Sequence, residues 1–153
     1  MERTTERQVF TIRDAKLTDA PALAALMREL GYKTTPAEMR RRLKPILCDV
    51  RYRTFLAEVG GKVCGMIGTL AHPSYEHDHP SGRILALVTL TTARRRGIGR
   101  ALIASAEKAF AQKAVTRVSL ETGFARKDAH QFYESLGYER NGWRFVKQLP
   151  VSD

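Results

Sequence analysis

Apolar positions along this chain recur with two different periods, and the switches between them mark its elements. Residues 9–13 (Val-Phe-Thr-Ile-Arg) alternate like a strand. Thr18 or Asp19 then offers a helix cap with Pro21 in the first turn. Leu23, Leu26, Met27 and Leu30 fall on one helical face, which Gly31 ends. A second helix is predicted from Thr35-Pro36, with Met39, Leu43, Ile46 and Leu47 as its apolar face and Pro45 disturbing its last turn. Tyr52–Val59 and Lys62–Leu70 read as strands. Gly60-Gly61 between them predicts a tight hairpin, because both glycines accept positive φ.

The stretch from His72 to Pro80 is a polar loop, and Arg83–Thr91 is a strand with an apolar centre. A helix from Ile98 carries Leu102, Ile103, Ala106 and Phe110, and Val115–Glu121 is again strand-like. Ala129, Phe132, Tyr133 and Leu136 form a short helical stripe that Gly137 ends, and Trp143–Leu149 reads as a last strand. The predicted order β-α-α-β-β-β-α-β-α-β belongs to an α+β, or mixed α/β, domain and not to a regular βαβ repeat.

Composition adds little to this until charge is considered. With 153 residues, 43% hydrophobic and 27% charged, the chain has room for one core, expected over residues 9–149 behind a loose tail at residues 1–8. The longest aliphatic run, Ile84–Val88, is far short of the roughly 20 residues that cross a bilayer. The charged first residues lack the apolar segment of a secretory signal, so the expectation is a cytoplasmic protein without a membrane partner. Cys48 and Cys64 have neither CxxC spacing nor a histidine cluster, and both are expected as buried small apolar residues. No metal site is expected, since the histidines of the 72–79 loop match no ligand spacing.

The net charge of +10 implies an anionic partner, either a polyanion or a smaller ligand bound locally. Arg40-Arg41-Arg42 and Arg94-Arg95-Arg96 are separate runs without interleaved aromatics, which argues against a nucleic-acid surface. The second run sits in the most informative segment of the chain. From Leu87 to Leu102 a strand leads through an arginine-rich turn with two glycines into a helix. Free N–H groups at a helix start, helped by the helix dipole, make an anion site, and glycines let a ligand approach the backbone. A Walker loop is excluded because no Gly-Lys-Ser/Thr is present. A dinucleotide fingerprint fails because Leu102 stands where a third glycine or an alanine is needed. An ordinary turn into a helix would accept both glycines but has no need of three successive arginines.

Arg94-x-x-Gly97-x-Gly99 resembles the pyrophosphate loop of the GNAT superfamily of N-acetyltransferases, whose pattern is Gln/Arg-x-x-Gly-x-Gly/Ala. Ala129-x-x-Phe132-Tyr133-x-x-Leu136-Gly137-Tyr138 is similar to that family's following helix. The resemblance covers residues 9–149 and is strongest from 83 to 138. It implies a central mixed, mostly antiparallel sheet flanked by about four helices, with acetyl-CoA as acetyl donor and a primary amine as acceptor. It further implies that the backbone around Leu87, Val88 and Thr89 pairs with the pantetheine arm. Arg94, Arg95, Arg96, Gly97, Ile98, Gly99, Arg100 and Ala101 would surround the pyrophosphate, with Arg126 near a phosphate. Tyr133 corresponds to the family's proton donor to the departing thiolate, although its spacing also fits a core stripe.

Two departures stand out. Where many members carry a glutamate base, this chain has Arg83, leaving Glu121 or the Glu76, His77 and Asp78 loop as substitutes. Arg126 replaces a frequent asparagine, and His130 has no orienting partner legible in the sequence. The acceptor's identity stays open, as does the choice between a catalyst and a non-catalytic acyl-CoA-binding domain. A homodimer is the assembly the resemblance suggests.

Overall fold

The computed structural model describes residues 9–122 and 127–151. They fall into two compact units that adjoin in sequence at Leu120 and Glu121. The first holds β1 (Phe10–Asp14), α1 (Ala20–Leu30), α2 (Pro36–Leu47), β2 (Tyr52–Val59), β3 (Lys62–His72), β4 (Ser81–Thr89), α3 (Ile98–Gln112) and β5 (Arg117–Ser119). The second holds α4 (Lys127–Ser135). The sheet runs β1-β2-β3-β4-β5, antiparallel except for the parallel β4–β5 pair. This is the mixed α+β, mostly antiparallel architecture expected.

Local chemistry explains most boundaries. Thr35 and Glu38 form a reciprocal capping box: the Thr35 hydroxyl accepts from the Glu38 amide at 3.1 Å, and the Glu38 carboxylate accepts from the Thr35 amide at 3.3 Å. Asp19 precedes α1 but does not cap it with its side chain. Its carboxylate instead accepts from the Lys16 amide and from both terminal nitrogens of Arg13, which fastens the end of β1 to the start of α1. Those bonds, the Arg13 guanidinium first, hold the Asp19 carboxyl below the usual carboxylate range. Gly60 and Gly61 both have positive φ, 57° and 77°, as the hairpin requires.

Each sheet face carries its own core. On one, Leu23, Leu26, Met39 and Leu43 of α1 and α2 pack on Leu56, Met66 and Val88. On the other lies α3: a Cβ on Gly65 would meet Ile98 and Leu102, and one on Gly82 would lie 2.8 Å from the Phe110 ring. Gly82 is therefore the close-approach point that lets α3 settle on β4.

Several expectations are corrected. Strand β4 spans 81–89 instead of 83–91, because Thr91–Ala93 curl into a single 3-10 turn. Strand β5 is shorter than 115–121, since the Val115 amide closes on Phe110 of α3 and Val115 is buried there. Residues 143–149 form no strand. An alternating apolar pattern becomes a strand only against a partner edge, and Trp143 and Phe145 stand 76% and 94% exposed. Cys64 is buried as expected, whereas Cys48 ends α2 and is exposed. Leu47, on the same last turn, is also exposed.

Candidate active site

The site is built around β4, whose two halves are out of phase. Along its border with β3, Gly68 faces Ala86 and Thr69 faces Ile84, so Leu85 is an extra residue opposite no β3 position. The bulge reverses which side chains face which core. Ile84, with Gly82, faces α3, yet Ala86 and Val88 pack on α1. Without the extra residue, positions 84, 86 and 88 would share one face. Leu85 itself is 48% exposed.

The other border of β4 is only partly paired. β5 accompanies it from Ser81 opposite Arg117 to Arg83 opposite Ser119, where the ladder stops. Among the described residues no strand pairs with Ile84–Thr89 on that side. Leu87 and Thr89 therefore stand on a strand edge, with side chains half-buried, while the Val88 side chain belongs to the α1 core. An edge of this kind presents backbone donors and acceptors to an extended partner.

Beyond Thr89 the chain turns over Ala93, which is buried, into Arg94, Arg95 and Arg96, all exposed. Arg95 has φ 66° and Gly97 has φ 79°. A non-glycine residue in that region costs on the order of 1–2 kcal/mol, so the turn holds backbone strain at Arg95 and needs glycine at 97. Ile98 is buried and anchors the helix, and the first intrahelical bond runs from the Ala101 amide to the Gly97 carbonyl at 3.0 Å. The amides ahead of it, through Gly99 and Arg100, are the helix start's donors for an outside acceptor. The Arg94 side chain reaches back to the Thr89 carbonyl at 3.4 Å, linking strand and turn.

One contact in this region was not legible in the sequence. Glu29 of α1 accepts from the Thr91 amide at 2.9 Å and from the Thr91 hydroxyl. These bonds, with Arg94 nearby, hold the Glu29 carboxyl below its ordinary range. Helix α1 thus tethers the turn that carries the arginines. Nothing in the sequence pairs positions 29 and 91; only the fold does.

The remaining sequence candidates belong to other segments of the chain. Tyr133 is half-buried in α4, with its ring edge-on to Phe132 at 5.4 Å and to Tyr138 at 6.1 Å. The α4 end closes on Gly137, φ 90°, with the Tyr138 amide donating to the Tyr133 carbonyl. Glu121 is ion-paired with Arg144 at 2.9 Å. Arg126 lies outside the described residues. In the 73–80 loop, Glu76 accepts from the Ser74 hydroxyl, and His77 lies 3.1 Å from Arg117 of β5. Among the described residues no helix is long and apolar enough to cross a membrane.

Comparison with known proteins agrees with this geometry. The model of the acetyltransferase (GNAT) family matches residues 20–138. The chain is 30% identical over 110 residues to N-acetyltransferase 8 of Rattus norvegicus, covering 69% of this chain and 48% of the rat protein. It thus spans about half the length of that relative. It is 28% identical to an uncharacterised N-acetyltransferase of Chlorobaculum tepidum, over 91% of this chain and 86% of that protein. Among solved structures, a GNAT family acetyltransferase of Staphylococcus aureus superposes with a TM-score of 0.78 at 27% identity, covering 92% of this chain and 98% of the other. The strand with an unpaired edge, the arginine turn and the helix behind it are those of a chain that belongs to the acetyltransferase (GNAT) family.

Proposed function

We propose that this chain transfers an acetyl group from acetyl-CoA to a primary amine. The observation that carries the reading is the continuity of the unpaired β4 edge with the strained arginine turn and the amino end of α3. An extended, amide-bearing arm fits an edge, and a pyrophosphate fits helix amides flanked by guanidiniums. In this reading Leu87 and Thr89 offer backbone bonds to the arm. Amides from Arg95 to Arg100 hold the phosphates, with Gly97, Gly99 and Ala101 leaving room. Arg94, Arg95, Arg96 and, as the family resemblance implies, Arg126 supply charge.

Acetyl-CoA brings an activated thioester, and the chain's residues supply position and proton handling. The amine must be neutral to attack, whereas an alkylamine has an ordinary pKa near ~10.4. Glu121, through water, takes the role of proton acceptor. The C–N bond forms as the C–S bond breaks, and the phenol of Tyr133 gives its proton to the departing sulfur. Tyr133→Phe keeps the ring and its contacts with Phe132 and Tyr138, so stability and CoA affinity should hold. In an assay of CoA release, kcat should fall by roughly 10²–10⁴-fold. A variant with unchanged kcat would return Tyr133 to a packing role.

A second reading is favoured by Arg83 at the position of the family's glutamate: a domain that binds acyl-CoA without turning it over. Stabilisation by CoA with no thiol release from any amine would select it.

A further inference from the structure

The alternation of backbone bonds along β4 fixes which of its carbonyls face the open edge. The Leu90 amide donates to the Cys64 carbonyl, next to β4's last partner on β3, at 2.8 Å. In an antiparallel pair, residues that bond across alternate with residues whose N–H and C=O point the other way. Leu90 and Val88 therefore turn their backbone groups toward β3. Thr89, opposite Gly65, and Leu87, opposite Ile67, turn theirs to the edge that no described strand pairs.

One of these edge acceptors is already occupied. Arg94 Nε donates to the Thr89 carbonyl oxygen at 3.4 Å. The bond holds the guanidinium over the end of the open edge, where an extended partner would place an amide. A charged side chain over a strand edge keeps other strands from adding to it. The hold is a light one: Arg94 is exposed, and the anion whose charge reaches it, Glu29, is committed to Thr91 by two bonds. A phosphate oxygen is a stronger acceptor for a guanidinium than a neutral carbonyl. Arg94 also opens the turn that leads into the α3 amides, so cover and anion site share one segment.

We propose that Arg94 makes the site selective for the phosphate-bearing form of the arm. It covers the Thr89 carbonyl in the free chain and releases it when a pyrophosphate offers the guanidinium a better acceptor. A ligand with both parts replaces both bonds, because its amide takes the Thr89 carbonyl and its phosphate takes Arg94. A ligand with the arm alone must displace Arg94 and leave it to water. Selectivity then comes from a cost imposed on the wrong ligand as well as from contacts with the right one. The inference rests on the coenzyme-binding part of the acetyl-transfer reading and gives Arg94 a role beyond supplying charge.

The test uses CoA and pantetheine, which carries the same thiol-ended arm without phosphates. Each is titrated into the full chain by NMR, with the Leu87 and Thr89 amides as reporters. Arg94→Ala should bind pantetheine roughly two- to ten-fold more tightly than the parent, the scale of one hydrogen bond no longer to be broken. CoA should bind the same variant more weakly. Arg40→Ala, which removes a charge from the exposed face of α2, should leave pantetheine at the parent's affinity. Arg94 is exposed, so folding should survive its replacement. As a second measurement, the Arg94 Nε resonance of the parent, identified by its absence from the variant, should shift on adding CoA. Pantetheine bound no more tightly by Arg94→Ala, or by neither protein, would overturn the role of Arg94 while CoA binding to the parent kept the coenzyme site. CoA bound more tightly by the variant, or an Arg94 resonance unmoved at saturating CoA, would overturn the exchange of partners. A parent chain that binds neither probe would overturn the coenzyme reading and this inference with it.

Discussion

The two ends of β4 present different chemical groups. At the Leu87–Thr89 end the groups presented are backbone: a strand edge that no described strand pairs, then helix amides reached through a turn with Arg95 and Gly97 at positive φ. At the Ser81–Arg83 end the backbone is fully paired between β3 and β5, and only side chains face outward. A backbone-built site tolerates much sequence change provided its special dihedrals are kept, whereas a side-chain site changes specificity with every substitution.

The sharpest way to break the comparison is Gly97→Val. A β-branched residue resists φ 79°, and relaxing it would redirect the amides of the α3 start. Ligand binding at about 100 times its dissociation constant adds ~2.7 kcal/mol of stability, or roughly 5–10 °C in Tm for a chain of this size. Gly97→Val should erase that CoA-dependent shift while the apo protein stays folded. A full CoA shift in the variant would mean that the turn does not hold the phosphates.

Gly82→Ala strikes the opposite end. The added methyl would lie 2.8 Å from Phe110, so either the ring or the strand must yield. Overpacking of this kind costs typically 1–3 kcal/mol. Thermal unfolding should show a Tm lower by several degrees, with the CoA shift preserved. A variant as stable as the parent would show that α3 does not depend on this contact.

Glu29→Ala has the smallest effect and acts through the tether to Thr91. CoA should bind a few-fold more weakly, with little change in apo stability because Glu29 is exposed. Its pKa is lowered in the folded chain, chiefly by the Thr91 bonds, so the tether is complete above the ordinary carboxylate range. It is lost as pH falls through the lowered value, and the parent's CoA affinity should approach the variant's at that acid limit. Parallel pH curves for the two proteins would remove the tether from the cofactor's account.

The same contrast explains what the sequence could convey. The α3 start was legible because its needs are local: a glycine at 97, a buried Ile98 and arginines in succession. Helices α1 and α2 and the glycine hairpin were legible for the same reason, through period, caps and turn chemistry. The register that sets Ser81 opposite Arg117 and Arg83 opposite Ser119 was not, since it depends on which residues of two strands lie opposite one another, and parallel pairing leaves no turn between them to count from. The bulge hid in the run Ile84-Leu85-Ala86-Leu87-Val88, where apolar residues at every position erase the alternation that would mark a change of phase. The last predicted strand failed for a related reason: alternation in 143–149 describes a side-chain pattern, while a strand exists only as one half of a pair.

Leu85 can be viewed as a punctuation mark within a strand. Because one extra residue reverses the parity of the positions after it, the four side chains from Ala86 to Thr89 are committed to the opposite cores from those their count from Ser81 would assign. The amino half of β4 is thereby decoupled from the carboxyl half as far as facing is concerned. The 73–80 loop and the first residues of β4 can change composition, and the frame that places Leu87 and Thr89 on the strand edge is read afresh from the bulge.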